Sequence, residues 1–301
     1  MLTGFEITTA VRAALVEDAP WGDLTSTYLF DATTRAEATL VAREPGVFSG
    51  GAVFRVAFEL LDPTVGVTDV AVDGARFVAG DVLARVGGPA LAVLQSERVA
   101  LNFVQRMSGT ATATARFVDA VAGTGVRIVD TRKTTPGLRA FEKHAVVSGG
   151  GHNHRHSLSD AVMVKDNHLA VVTNGGLSVP EALRALRSRL PHTTHVEVEV
   201  DRLDQIEDVL AGGADTVMLD NFSIDDLRRG IALIDGRAIV EASGTVSLDT
   251  VRAIADTGVD VISVGALTHS ARALDLGLDV TITTPGEKTG TAPGEKDEAT
   301  P

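Results

Sequence analysis

An α/β protein built on a β/α barrel is the fold class that the sequence predicts, and three observations lead to it. Between residues 125 and 271 six short apolar runs recur: VRIVD (126–130), AVMVK (161–165), HVEVEV (195–200), TVMLD (216–220), AIVEAS (238–243) and VISVG (261–265). Segments of helical spacing separate the later runs, at 180–190, 204–213, 223–234 and 247–258. Alternating strand and helix implies a parallel sheet. Finally, the runs end in charged or small polar residues, as they do in a barrel whose chemistry sits at the C-terminal ends of its strands. An open doubly wound sheet is the alternative. The barrel is preferred because such residues stand at every strand end rather than at one switch point, and no glycine-rich nucleotide fingerprint follows the first run.

The elements before the barrel form a smaller α+β unit. Residues 5–18 have helical spacing, and Trp21-Gly22-Asp23 breaks it. Residues 36–42, 65–72 and 82–86 read as short strands with Gly and Asp turns between them, and 52–61 as a helix. From 89 to 122 the pattern is helical, with Gly109 expected to divide two helices. The run LDLGLDVTIT (274–283) can return to the first unit as a strand. The expected organisation is a sandwich domain of 1–108 plus 272–283 and a barrel domain of 109–271. The last segment, 284–301, repeats Pro-Gly-Glu-Lys and has almost nothing apolar to bury, so disorder is expected there.

Composition narrows the function. The 301 residues carry 27 Lys and Arg against 40 Asp and Glu, a formal charge of −13, which argues against nucleic acid as a partner. Without cysteine there is no disulfide and no thiolate nucleophile. The N-terminus has no signal-peptide pattern and no apolar run reaches the length of a membrane span, so a soluble cytoplasmic protein is expected. Only five basic residues are Lys, and three of them, Lys133, Lys143 and Lys165, fall close together.

That cluster lies in a region unlike the rest of the chain. Residues 127–168 hold seven Lys and Arg against four Asp and Glu, with five of the eight histidines. A positive site within an acidic protein suggests a small anionic ligand held in a pocket. Thr131-Arg132-Lys133 follows the first barrel strand. Arg132 can grip a carboxylate with two parallel hydrogen bonds, and Lys133 can set a point charge on a phosphate. The loop from Gly149 to Arg155 can bring backbone N–H groups to an anion. It also carries His152, His154 and His156, which would share one face if extended, so a metal-dependent barrel hydrolase is a rival. Arg155 and Lys165 speak against a cation there.

Glu197 and Glu199 alternate with Val and so point to one face of their strand, and Asp220 ends the next strand. Carboxylates facing a barrel interior need cations, metal or hydroxyls as partners. Asp220 with one Glu could hold Mg²⁺ or ribose hydroxyls. Ser243-Gly244-Thr245 and Gly265-Ala266 are small-residue turns leading into helices, where barrels cradle phosphate on backbone amides. The combined ligand would have a terminal phosphate, at least one carboxylate and a polyhydroxylated or Mg²⁺-bound middle.

The blocks DTRKTTPGLR (130–139), GGGHNHRHSLSDAVMVKDNH (149–168), VEVEV (196–200), MLDNF (218–222), EASG (241–244) and DVISVGALTHSA (260–271), with EDAPWGDLTS (17–26) and SERVALNF (96–103), resemble quinolinate phosphoribosyltransferase in order over residues 5–283. The resemblance implies an incomplete barrel of six or seven strands beside a sandwich built from both chain ends. It implies transfer from 5-phosphoribosyl-1-pyrophosphate to quinolinate, giving nicotinate mononucleotide, pyrophosphate and CO₂ with Mg²⁺, a step of NAD biosynthesis. Residue by residue, Arg132, His154, Arg155 and Lys165 would bind quinolinate carboxylates, with Thr131 also at the substrate site. Lys133 and Lys165 would meet the donor, and Glu199 and Asp220 its ribose and Mg²⁺. Ser243, Gly244 and Gly265 would cradle the 5-phosphate. Arg98 would enter the neighbouring subunit's site, making a homodimer or a dimer-based hexamer. Thr245 departs from a glycine common in the family. A paralogous phosphoribosyltransferase of different base specificity is the near alternative, and a non-catalytic binder of phosphorylated ligands a further one.

Overall fold

The computed structural model describes residues 2–283; the expectation for 284–301 lies outside them. The chain opens with helix α1 (Gly4–Asp18), which starts at a capping box: the Thr3 side chain accepts the Glu6 N–H, and the Glu6 carboxylate accepts the Thr3 N–H. Ile7, Val11 and Leu15, four residues apart, bury one stripe of this helix. In α2 (Leu24–Leu29), Asp23 accepts the Thr25 and Ser26 N–H groups as the cap.

Strand β1 (Arg35–Ala42) buries Ala36, Ala38, Leu40 and Ala42 on alternate positions, the expected period of two. The chain continues through β2 (Gly46–Val47), α3 (Gly51–Glu59), β3 (Gly66–Thr68), β4 (Arg76–Phe77) and β5 (Val82–Pro89). The strand expected over 65–72 shortens to β3 because Asp69 takes φ 51°, a left-handed turn conformation that ends the extended run.

Helix α4 (Ala90–Ala120) is one unbroken element of 31 residues, so the expected division at Gly109 does not occur. Gly109 serves close approach: a Cβ there would stand 1.9 Å from the Arg272 carbonyl oxygen. The helix joins two apolar cores. Its first half, with Val93, Leu101 and Val104, belongs to the core of the first unit, and Phe117 and Val121 near its end to the core of the parallel sheet.

The parallel sheet is built from β6 (Arg127–Val129), then after α5 (Arg139–Ser148) from β7 (Val162–Val164), and after α6 (Asp166–Asn174) and α7 (Val179–Arg187) from β8 (Val196–Val200). Next come α8 (Ile206–Ala211), β9 (Thr216–Asp220), α9 (Ile224–Ile234), β10 (Ile239–Ser243), α10 (Val251–Ala255), β11 (Val261–Ser263) and α11 (Ala266–His269). The six strands are ordered β6-β11-β10-β9-β8-β7, with every neighbouring pair parallel. Strands β6 and β7 do not pair, so the barrel stays open there. In place of a seventh strand, His152 bridges to Val129 by backbone alone, its N–H donating to Ile128 O at 2.8 Å. Strands β8 and β9 are buried almost throughout, as parallel strands covered on both faces are.

Strand β12 (Leu276–Thr283) then returns along β1 in antiparallel register, Leu276 opposite Ala42 and Thr283 opposite Arg35. It completes a second, antiparallel sheet ordered β12-β1-β5-β3. Among the described residues no helix is long and apolar enough to cross a membrane.

Candidate active site

A cavity of about 400 Å³ opens at the C-terminal ends of the parallel strands. Each strand contributes: Thr131, Arg132 and Lys133 after β6, Lys165 after β7, Glu199 on β8, Asp220 on β9, Glu241 and Ser243 on β10, and Ser263 on β11. His154 and Arg155 enter from the loop that fills the open side of the barrel, and Met163 and Met218 supply apolar wall.

The loop bearing Arg132 and Lys133 is braced on several sides. Thr131 Oγ1 accepts the Lys133 N–H at 3.0 Å, and Thr268 donates its hydroxyl to the Lys133 carbonyl at 2.6 Å. Buried Glu142 accepts the Thr135 N–H, and Arg139 donates to Thr134 Oγ1 and to His156 O, each at 3.0 Å. Gly265 lies against Lys133, where a Cβ would sit 3.1 Å from its Cδ. Arg132 Nε is buried without a protein partner, a donor left over for a ligand.

Opposite, Lys165 at the start of α6 pairs with Glu199. Asp220 accepts the Ser243 hydroxyl and the Asn221 side-chain amide, both at 2.8 Å. Asn221 takes φ 56°, and Gly244 takes φ 126° directly against it: a Cβ on Gly244 would stand 2.4 Å from Asn221 Oδ1. The β10 turn therefore requires glycine, for its conformation and for space.

His154 Nε2 lies 2.9 Å from Glu197 Oε2 and 3.6 Å from Glu241 Oε2. Burial resists a charge on this imidazole, but the two carboxylates outweigh it and raise its pKa above the ordinary value. Burial, and then the charge of Glu197, push the Glu241 carboxyl up to about 7.

The chain matches the family model described as quinolinate phosphoribosyl transferase, N-terminal domain, over residues 23–108 and that of the C-terminal domain over 110–279. A Mycobacterium leprae protein named nicotinate-nucleotide pyrophosphorylase (carboxylating) is 45% identical over 279 residues, 90% of this chain and 95% of that one. A chloroplastic Arabidopsis thaliana protein of the same name is 39% identical, covering 92% of this chain and 83% of its own. The crystal structure of NadC from Streptococcus pyogenes superposes with a TM-score of 0.90 at 41% identity, covering 94% of this chain and 99% of that one.

The chain belongs to the quinolinate phosphoribosyl transferase family.

Within that family's frame, the pocket brings together Thr131, Arg132, Lys133, His154, Arg155, Lys165, Glu199, Asp220 and Ser243, all singled out from the sequence, with Gly244 and Gly265 beside it. Arg98 is not among them: it is exposed on α4 and does not line the cavity of its own chain. The three-histidine metal site does not form. His152 is exposed, and after Arg155 the chain turns as Asp160 accepts the His156 and Ser157 N–H groups, so the run is no strand. Only His154 meets acidic side chains that could share a metal ion.

Glu241, Met163, Met218 and Ser263 join the pocket without having been singled out. The sequence carried a signal for Glu241, an acid ending an apolar run, but none for the other three. Glu197 and Glu199 do share a face, where Glu197 meets the His154 imidazole and Glu199 the Lys165 ammonium. Lys143 is fully buried, does not line the pocket and pairs with Asp130.

Proposed function

We propose that the chain transfers the phosphoribosyl group of 5-phosphoribosyl-1-pyrophosphate to quinolinate and releases pyrophosphate and CO₂, forming nicotinate mononucleotide. The observation that carries this reading is the convergence of Arg132, Lys133, Arg155 and Lys165 with Glu199 and Asp220 around one cavity. Four cations suit a dicarboxylate and a polyphosphate together, while the two carboxylates suit what those anions leave exposed.

The division of labour follows from the side chains. Arg132 and Arg155 offer planar forks that match carboxylates, so they hold quinolinate. Lys133 and Lys165 place point charges on the donor's pyrophosphate. Backbone N–H groups at Ser243-Gly244 and Gly265 receive the 5-phosphate, and because those contacts use the backbone, Thr245 is compatible with them. Asp220 and Glu199 are hard oxygen donors at adjacent strand ends, a set that fits Mg²⁺. Bound there with the donor, Mg²⁺ supplies charge neutralisation to the leaving pyrophosphate.

As pyrophosphate departs the ribose becomes oxocarbenium-like, and Glu199 or Asp220 stabilises that carbon or orients the ribose hydroxyls. The ring nitrogen of quinolinate attacks, so the protein supplies no nucleophile. The resulting pyridinium stabilises the electron pair that stays on the ring carbon as the C–C bond breaks and CO₂ leaves, and that carbon then takes up a proton to give nicotinate mononucleotide. The protein's share is positioning and exclusion of water.

A homodimer, or a hexamer built from such dimers, with Arg98 completing the neighbouring pocket belongs to the same proposal. Its support is the exposure of Arg98 outside its own site, together with a run of uncovered apolar residues near the N-terminus, Phe5, Trp21, Leu24, Tyr28 and Leu29. A cytoplasmic setting is part of the same proposal, with the charged substrates reaching the enzyme without crossing a bilayer. Purified protein given quinolinate, the donor and Mg²⁺ should release CO₂ and pyrophosphate one for one. Turnover with nicotinate but not quinolinate would replace the base and keep the transfer.

A further inference from the structure

Two carboxylates, one in the cavity wall and one behind it, are left without a task by the reaction above. Glu197 on β8 and Glu241 on β10 flank strand β9, and both residues are under 5% exposed. Each presents Oε2 to His154 Nε2, at 2.9 and 3.6 Å, while Oε1 of each makes no hydrogen bond. On the other edge of the same ring, His154 Nδ1 accepts the Arg155 N–H at 2.7 Å. An accepting Nδ1 carries no proton, so the ring proton stands on Nε2, facing Glu197. The imidazolium form would break the Arg155 bond; the carboxylates and the N–H therefore pull in opposite directions, and in the structure the N–H bond is made.

Both nitrogens of His154 are thus committed to the protein. The neighbouring side chain, Arg155, is the one free to grip a ligand, its Nη1 steadied by the Ala161 carbonyl at 3.1 Å. A rotated ring would lose its bond to Glu197 and release the Arg155 N–H at the same time. We infer that Glu197 and Glu241 are positioning residues for the base-binding end of the pocket, acting through His154 on Arg155. This rests on the phosphoribosyl-transfer reading, and it gives His154 the work of holding Arg155 rather than of binding a carboxylate through a ring nitrogen.

The donor end is held by separate bonds, from Thr268 to the Lys133 carbonyl and from Ser243 to Asp220. Loss of the carboxylates should therefore reach one substrate and spare the other. In the full-length enzyme, Glu197→Ala is expected to raise KM for quinolinate about tenfold or more, the scale of one charge-assisted hydrogen bond, and to leave KM for 5-phosphoribosyl-1-pyrophosphate within about twofold. Glu241→Ala should shift the same constant less, because its carboxylate stands farther from the ring. Glu197→Gln, whose amide oxygen still accepts from Nε2–H, should restore most of the affinity. The ¹⁵N spectrum of His154 should show the Nε2–H tautomer in the parent and a mixture in Glu197→Ala. If that variant does not fold, Glu197→Asp, which withdraws the carboxylate by one methylene, makes the same test. Equal rises in both KM values, or an unchanged quinolinate KM with an unchanged tautomer, would overturn the assignment. A parent enzyme that does not turn over quinolinate would overturn the reaction instead.

Discussion

Lys143 and Asp130 form an ion pair with both side chains fully buried, and each partner holds the backbone of His154 as well. Lys143 Nζ donates to the His154 carbonyl, and Asp130 accepts the His154 N–H, both at 2.9 Å. The pair fastens the Gly149–Arg155 loop to the end of β6, and so carries His154 and Arg155 to the pocket wall. Burial pushes the Asp130 carboxyl up and the Lys143 ammonium down, so each ion depends on the other to stay charged.

Removing one partner is expected to leave an uncompensated buried charge. Lys143→Met should lower unfolding stability by about 3–5 kcal/mol, whereas Lys143→Met combined with Asp130→Asn should recover part of that loss. Denaturant midpoints of the two variants check this. Equal stability of the single variant and the parent would remove the pair from the framework of the loop.

Arg155→Lys should weaken quinolinate binding, since an ammonium cannot reproduce two parallel bonds to a carboxylate. One charged hydrogen bond contributes about 1.5–3 kcal/mol, so the dissociation constant should rise roughly 10- to 100-fold. Equilibrium titration measures it directly. Unchanged affinity would take Arg155 out of the carboxylate site.

Gly109→Ala places a methyl group 1.9 Å from the Arg272 carbonyl oxygen, backbone that cannot swing aside as a side chain can. Overpacking of this kind destabilises by about 1–3 kcal/mol. The midpoint of thermal unfolding should fall accordingly. By contrast Gly87→Ala, where a Cβ meets nothing within 4 Å, serves as the comparison and should shift the midpoint far less.

The raised pKa of Glu241 gives stability a pH dependence of definite sign. Burial and the Glu197 charge lift the folded-state value to about 7 from the ordinary 4.5, with His154 opposing them. Between those values the folded state binds the extra proton, so this group's contribution is fully present below about pH 4.5 and is lost as pH rises through 7. The stability of Glu241→Gln should therefore gain on the parent across that window. A parallel pH profile for the two proteins would contradict the shift.

Much of the molecule was legible from residue order. Apolar runs of strand length, separated by segments of helical spacing, announced each parallel strand, and the polar residue ending each run announced the cavity. Thr131, Arg132, Lys133, Lys165, Glu199, Asp220 and Ser243 could be named because strand ends are local features and a barrel gathers its strand ends on one face. Helix α4 runs unbroken through Gly109, and residue order hides this because a glycine inside a helical pattern looks the same whether it breaks the helix or admits a neighbour. The neighbour, the Arg272 carbonyl, lies more than 160 positions away.

The same distinction separates what could be read in the site from what could not. Residue type and strand-end position are inscribed along the chain, and they were enough to single out the cations and the two carboxylates, Glu199 and Asp220, that line the cavity. Which charges neutralise one another depends on contacts between strands distant in sequence. Lys143 found Asp130, His154 found Glu197 and Glu241, and the other two histidines of the run found neither. Arg98, exposed on its own chain, was named from the family resemblance and not from any contact that this chain makes. A buried charge is settled by whatever partner the fold brings within a few ångströms, and nothing in the local sequence encodes that distance.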